Sequence, residues 1–282
     1  METEQTFGQE LERDYQLFEQ AGAEKICIGR TVLGRPIFAF AVGCGSPKIL
    51  VQYAIHAREY ITYYLAKRHI FDTASSLAIG AGTVYFVPIV NIDGVSLVLD
   101  GKSAVPPEYH ALLDEICPDG DFGSWKANIR GVDLNVNFDA RWGTGSQNIH
   151  TPSSANFVGY GAHSEPEVRA LADFTQSLCL DMTVSYHSKG EVIFYDFHQP
   201  PITKAKHYAL ARVASRATGY KIKKTGNSAG GYKDWCIAAL HIPALTIEVG
   251  SDSLTHPIAP SHLEPIYQQN RTVILDLLTH LR

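Results

Sequence analysis

The chain has 282 residues, 45% of them apolar and 19% charged, with a formal net charge of −5 at pH 7. That size admits one large domain or two small ones, with an ample apolar core. The acidic balance argues against nucleic acid or an anionic membrane as main partner, and no apolar stretch approaches the ~18 residues that crossing a bilayer demands.

The N-terminal stretch from Met1 to Arg13 is polar and acidic, with neither a basic n-region nor an apolar h-region, so it does not read as a signal peptide. Cysteines at Cys27, Cys44, Cys117, Cys179 and Cys236 are odd in number, scattered, and form no Cys-x-x-Cys pair. They read as free thiols in a reducing compartment, and the expected location is cytoplasmic.

Leu11, Tyr15, Leu17 and Phe18 give an amphipathic helix over about 8–20. Two short strands follow, around 24–33 and 35–42, broken by Gly34 in the manner of a hairpin. An apolar strand over 48–55 leads into a helix over about 59–77, and a strand over 83–90 runs into Asn91-Ile92-Asp93-Gly94, a turn signal. Residues 100–160 are irregular and rich in Pro, Gly, Ser and Asn; loops of that length in compact domains are usually functional. Ser164, Pro166 and Glu167 open a helix to about 178. A strand over 181–186, a helix over 202–218, a strand over 243–248 and a helix over 263–281 complete the chain. Strands alternating with helices predict an α/β fold: a mostly parallel mixed sheet with helices on both faces.

His56, Asn91, His187 and Glu248 all fall at or just beyond the C-terminal ends of predicted strands, the edge where open α/β sheets bind ligands. His56 and Glu59 lie three positions apart where a strand turns into a helix, so both can grip one cation. With His187 they make a set of two histidines and one carboxylate, which suits catalytic zinc and leaves a fourth position for water. Each residue alone has a plainer reading, since a glutamate opening a helix is often only a dipole partner. Their coincidence at one sheet edge is what points to a metal. Glu248 closes the apolar run Ala244–Ile247, where partial desolvation raises a carboxylate's proton affinity into the range of a general base. Arg58, between the two early ligands, would face an anionic group. The set reads as a zinc hydrolase. A competing pattern, Gly226-Asn227-Ser228-Ala229-Gly230 with Asp252 and His256 downstream, matches a serine hydrolase elbow. The stretch before it, Tyr220–Thr225, is too polar for the buried strand such an elbow needs.

Six pieces in order carry a family resemblance: His56-Ala57-Arg58-Glu59, Asn91-Ile92-Asp93-Gly94, Trp125–Asn135, His187-Ser188, Gly230–Trp235 and Thr246-Ile247-Glu248. From about Arg35 onward the chain resembles the zinc carboxypeptidases of peptidase family M14. The resemblance implies a single metallopeptidase catalytic domain over 1–282, with the helix 8–20 ahead of a core from about 24. It implies one Zn2+ per chain on His56, Glu59 and His187, with Glu248 as base and Asp133 behind a histidine ligand. It also implies an arginine after the Trp-Lys segment, Arg130 being the nearest, that holds the carbonyl oxygen as charge develops on it, and Arg58 facing substrate.

Two departures stand out. Val136 follows Asn135 where digestive members carry the arginine that clamps a terminal carboxylate. Gly226 falls where they carry a mobile tyrosine, for which Tyr232 or Tyr160 would have to substitute. Lys233 falls in the specificity pocket and suits an acidic group. The Trp-Lys-Ala-Asn and Gly-Gly-x-Lys-Asp-Trp wording is similar to bacterial members that cleave γ-D-glutamyl-diaminopimelate bonds. A peptidase acting on small imported murein peptides is therefore expected; the alternatives are a metallocarboxypeptidase on ordinary C-terminal residues and an amidase on acylated amino acids.

Overall fold

Helix α1 (Phe7–Gln20) starts at a capping box, in which the Thr6 backbone N–H donates to Gln9 Oε1. It buries Phe7, Leu11, Tyr15 and Phe18, and Tyr15 (tilted) and Phe18 (edge-on) pack against Phe40 with ring centroids 5.2 and 5.1 Å away. The structure, a computed structural model, describes residues 6–282; Met1 to Gln5, the start of the acidic N-terminal stretch, lie outside the described residues.

The hairpin read around Gly34 is present as β1 (Glu24–Arg30) and antiparallel β2 (Pro36–Cys44). Next come β3 (Lys48–Gln52), α2 (Ile61–Ser76), β4 (Gly82–Val87) and α3 (Ile92–Asp100). The irregular region holds one short helix, α4 (His110–Ile116), before α5 (Pro166–Ser177) and β5 (Met182–Ser188). Then follow β6 (Val192–Phe194), α6 (Pro201–Thr218), β7 (Lys221–Lys223), α7 (Tyr232–Ala238), β8 (Ala244–Val249), α8 (Leu263–Asn270) and α9 (Val273–Leu281).

The eight strands form one mixed sheet in the order β1-β2-β4-β3-β5-β8-β6-β7. Its centre, β4-β3-β5-β8, is entirely parallel. Those four strands are apolar runs buried on both faces, the pattern expected when helices cover each side. On one face Tyr186 stacks on Tyr53 at 5.0 Å, and Tyr53 bonds His69 of α2 at 2.8 Å. On the other, Tyr232 of α7 meets Thr175 of α5 at 2.8 Å. Because β3, β4, β5 and β8 run the same way, the segments leaving them emerge at one edge. That edge carries His56, Asn91, His187 and Glu248.

Behind it, α5 brings a buried acid against the hairpin turn. Glu167 is fully buried and accepts the Val32 backbone N–H at 3.0 Å. Burial, with Asp93 and Glu165 nearby, pushes its carboxyl up to about 7. A carboxyl raised in the fold stabilises fully below its unfolded pKa and loses that contribution as pH rises through the folded value. Relative to Glu167→Gln, the wild type should therefore lose about 3 kcal/mol of stability between pH 4.5 and 7.5. Urea unfolding of both proteins across that range checks it; parallel curves would remove Glu167 as the titrating group.

Candidate active site

His56 leaves β3 in extended conformation and caps a short 3-10 turn, Ala57–Glu59, that feeds α2. The turn is stitched to the irregular region by two backbone bonds, from Ala57 N–H to the Lys126 carbonyl and from Arg58 N–H to the Trp125 carbonyl. His187 lies within β5, and its register partner across the sheet is Glu248 of β8. Long-range packing thus brings three separate chain segments to one point.

His56 Nδ1 lies 2.9 Å from Glu59 Oε1, and His187 Nδ1 lies 3.0 Å from Glu59 Oε2 and 3.1 Å from His56 Nδ1. All three side chains are buried. They are the one group of three or more His, Cys, Asp or Glu among the described residues whose ligand atoms converge closely enough to hold a metal ion. The chemistry of the donors fits one. His56 Nε2 meets Asp133 Oδ1 at 3.1 Å, which puts its proton on that nitrogen and leaves an Nδ1 lone pair facing the triad. His187 Nε2 is buried without a partner, while Nδ1 turns inward. Two imidazole lone pairs and a carboxylate converging within a buried space repel one another unless a cation sits between them. Burial opposes ionisation of Glu59, yet His56 and His187 hold its carboxyl well below the usual range.

Asp133 is the positioning group behind His56. Fully buried, it accepts from the backbone N–H of Asn135 and of Asn156, and Lys126 Nζ stands 2.8 Å from its other oxygen. Burial resists its ionisation, but Lys126 and His56 hold it well below the usual carboxylate range. Glu248 faces the opposite balance: burial pushes its carboxyl up to about 7, with His187 pulling the other way.

Two cavities meet at Glu248 and Phe194. One is lined by the triad's His56 and Glu59 along with Arg58 and Lys126. Arg58 Nε is buried there with no acceptor. The other is lined by Asn135, Gly226, Lys233 and Asp234. Lys233 is not a free cation: Nζ donates to the Asp196 carbonyl at 2.8 Å, Thr225 Oγ1 at 3.1 Å and Asp234 Oδ1 at 2.5 Å. The floor of this pocket is a buried Lys–Asp pair.

Two expectations from the sequence fail. Arg130 is turned away from the triad, with its half-exposed guanidinium 3.7 Å from Glu165. Lys126, four residues earlier, lines the triad's cavity instead. Its signal in the sequence is the Trp125-Lys126 pair, a lysine where the resemblance implied an arginine. Tyr232 is fully buried with its hydroxyl on Thr175, so its phenol offers nothing to substrate; only its backbone N–H takes part, donating to Asn135 Oδ1. Tyr160 is 81% exposed and packs edge-on against Phe157. Ser228 belongs to the Lys233 pocket, while His256 and Asp252 line the triad's cavity. No hydrogen bond among the described residues joins Ser228 to either, which leaves the elbow pattern without its relay. Lys126→Ala is expected to lower kcat by ~10-fold or more, while Arg130→Ala stays within ~2-fold of wild type. Steady-state assays of the two variants decide it, and the reverse ranking would restore Arg130.

The fold and the site together define a metal-dependent hydrolase on a carboxypeptidase scaffold. Bovine thrombin-activatable fibrinolysis inhibitor superposes with a TM-score of 0.79 at 20% identity, covering 98% of this chain and 97% of that one. Murein-tripeptide amidase MpaA from Escherichia coli O157 superposes at 0.59 and 21% identity, covering 92% and 91%. Residues 20–273 match the family model for zinc carboxypeptidases, peptidase M14, and the chain belongs to that family. That family is one of zinc metallopeptidases, and the His56–Glu59–His187 cluster is this chain's candidate metal site. Among curated proteins, γ-D-glutamyl-L-diamino acid endopeptidase 1 of Lysinibacillus sphaericus is 34% identical over 268 residues, 88% of this chain. The chain spans 65% of that protein's length.

Proposed function

We propose that the chain is one catalytic domain, with α1 packed on a core from about residue 24, that hydrolyses γ-D-glutamyl-diaminopimelate bonds in small murein peptides. The observation that carries the substrate class is the pocket beside Glu248. Its floor is the Lys233–Asp234 pair, and the neighbouring position is Val136, without a cation for a terminal carboxylate. A leaving residue whose side chain bears both an ammonium and a carboxylate brings its own neutral pair to this neutral polar pocket, whereas a singly charged leaving residue would bury an unpaired charge beside it. The identity with the Lysinibacillus endopeptidase supports the same bond class.

His56, Glu59 and His187 would hold one Zn2+, which when bound supplies Lewis-acid activation of water and of the scissile carbonyl. Asp133 keeps the His56 ring oriented. Glu248 removes a proton as water oxygen adds to the carbonyl carbon. It then returns that proton to the departing amine as the C–N bond breaks, leaving a free γ-carboxylate and a free amino group. Lys126 and Arg58 face the side where negative charge gathers on the carbonyl oxygen. Asn135 borders the leaving-residue pocket as a hydrogen-bonding wall.

All five cysteines are free, three of them exposed, and no helix among the described residues is long and apolar enough to cross a membrane. We place the enzyme in the cytoplasm, acting on imported peptides. Murein tri-, tetra- and pentapeptides incubated with the zinc-loaded protein, followed by mass-spectrometric identification of the cut, test the reading. New γ-D-glutamyl termini are the expected product. Release of ordinary C-terminal residues, or cleavage of acylated amino acids only, would overturn it.

A further inference from the structure

The cavity lined by His56 and Glu59 is rich in basic side chains. Beyond Arg58 and Lys126 it is lined by Lys189, Lys223, Asp252 and His256. Lys126 is committed to Asp133. Lys189 Nζ donates to the uncharged main-chain carbonyl of Asp252, and among the described residues neither Lys189 nor Lys223 belongs to an ion pair. Lys189 follows Ser188 at the end of β5, two residues beyond His187, and Lys223 stands beside Phe194 in the β6–β7 register. Lys189 and Lys223 thus line the same cavity as His56, Glu59 and Glu248, with Asp252 as its further acid. Nothing in the catalytic chemistry needs them there.

We infer that Lys189 and Lys223 form a carboxylate subsite that reads the free α-carboxylate of a γ-linked glutamyl residue. An ordinary peptide bond has a backbone amide on that side. A γ-linked bond instead places an ionised carboxylate four bonds from the scissile carbonyl carbon, at most about 5 Å away. That carboxylate is present whatever residue precedes the glutamate, so a pair of lysines in the adjoining wall tells a γ-linkage from an α-linkage. Lysine suits the task as a mobile point charge on a flexible stem. The subsite also separates murein peptides whose glutamyl α-carboxylate is free from those in which it is an α-carboxamide, because the amide removes the charge and keeps the shape.

The inference rests on the γ-glutamyl reading above, and one experiment separates them. The zinc-loaded enzyme is given L-alanyl-γ-D-glutamyl-diaminopimelate and the same peptide with the glutamyl α-carboxylate as carboxamide. The wild type should favour the acid in kcat/KM, mainly through KM, by roughly two- to fivefold, the scale of a partly exposed ion pair. In Lys189→Met with Lys223→Met the acid-to-amide ratio should fall toward one. Lys223→Glu, at an exposed edge-strand position where refolding is not in question, should lower the ratio by itself. Equal cleavage of both peptides by the wild type, or a ratio that survives the double variant, overturns the subsite alone. Cleavage of neither at the γ-bond overturns the substrate class along with it.

Discussion

Glu248→Gln is expected to keep its zinc and to lose turnover by ~100-fold or more, the usual reach of a well-placed general base. Glutamine is nearly isosteric and sits on the same β8 backbone, held opposite His187 by the strand register, so the metal triad keeps its geometry. What disappears is a proton acceptor. The wild-type carboxyl is buried and pushed up to about 7, close enough to neutrality that it can both take a proton from water and give it to an amine. An exposed carboxylate in the ordinary range would take the proton poorly. Metal analysis alongside single-turnover kinetics separates the two effects. A kcat within ~3-fold of wild type at full zinc load would remove Glu248 from proton transfer.

The central sheet and the metal triad were legible in the sequence for one reason: β3, β4, β5 and β8 are largely apolar runs with a functional polar residue near or just beyond their C-terminal ends, and parallel strands deliver such residues to one edge. What was missed lacked any period to read. β6 and β7 are three residues each and exist through pairing with β8 and each other. The Asn91–Gly94 turn signal is in fact the start of α3, because the Asn91 side chain accepts the Gly94 N–H and caps a helix. Gly94 serves there by fitting tightly: a Cβ would lie 2.6 Å from Asn91 Oδ1 and 2.7 Å from the Ala127 carbonyl. The final helix divides into α8 and α9 at Arg271 and Thr272. Lys126 and Asp133 sit in a region whose path is set by scattered side-chain and backbone bonds, so their convergence on His56 could come only from family resemblance or from coordinates. Arg130 shows the cost of matching by residue type, since a cation of the right kind lay near in sequence but faced Glu165 in space.

A graded loss of metal is the sharpest test of the centre itself. His187→Ala should bring zinc well below one per chain and reduce affinity by more than ~100-fold, because it removes one of three donors. Asp133→Asn keeps all three and should cost only ~10- to 100-fold, the range for a group that orients a ligand. The ordering follows from the contacts. His187 points a ring nitrogen into the triad, whereas Asp133 touches the far nitrogen of His56 and acts on the cation only through that ring. Thermal unfolding with and without added zinc reads the same quantity independently: a ligand bound only by the native state raises its melting temperature by an amount that grows with the logarithm of its affinity. The wild type should gain most, Asp133→Asn less, and His187→Ala least. A full zinc load and an undiminished thermal shift in His187→Ala would show that the cation is held elsewhere, and the catalytic assignment of Glu248 would fall with it.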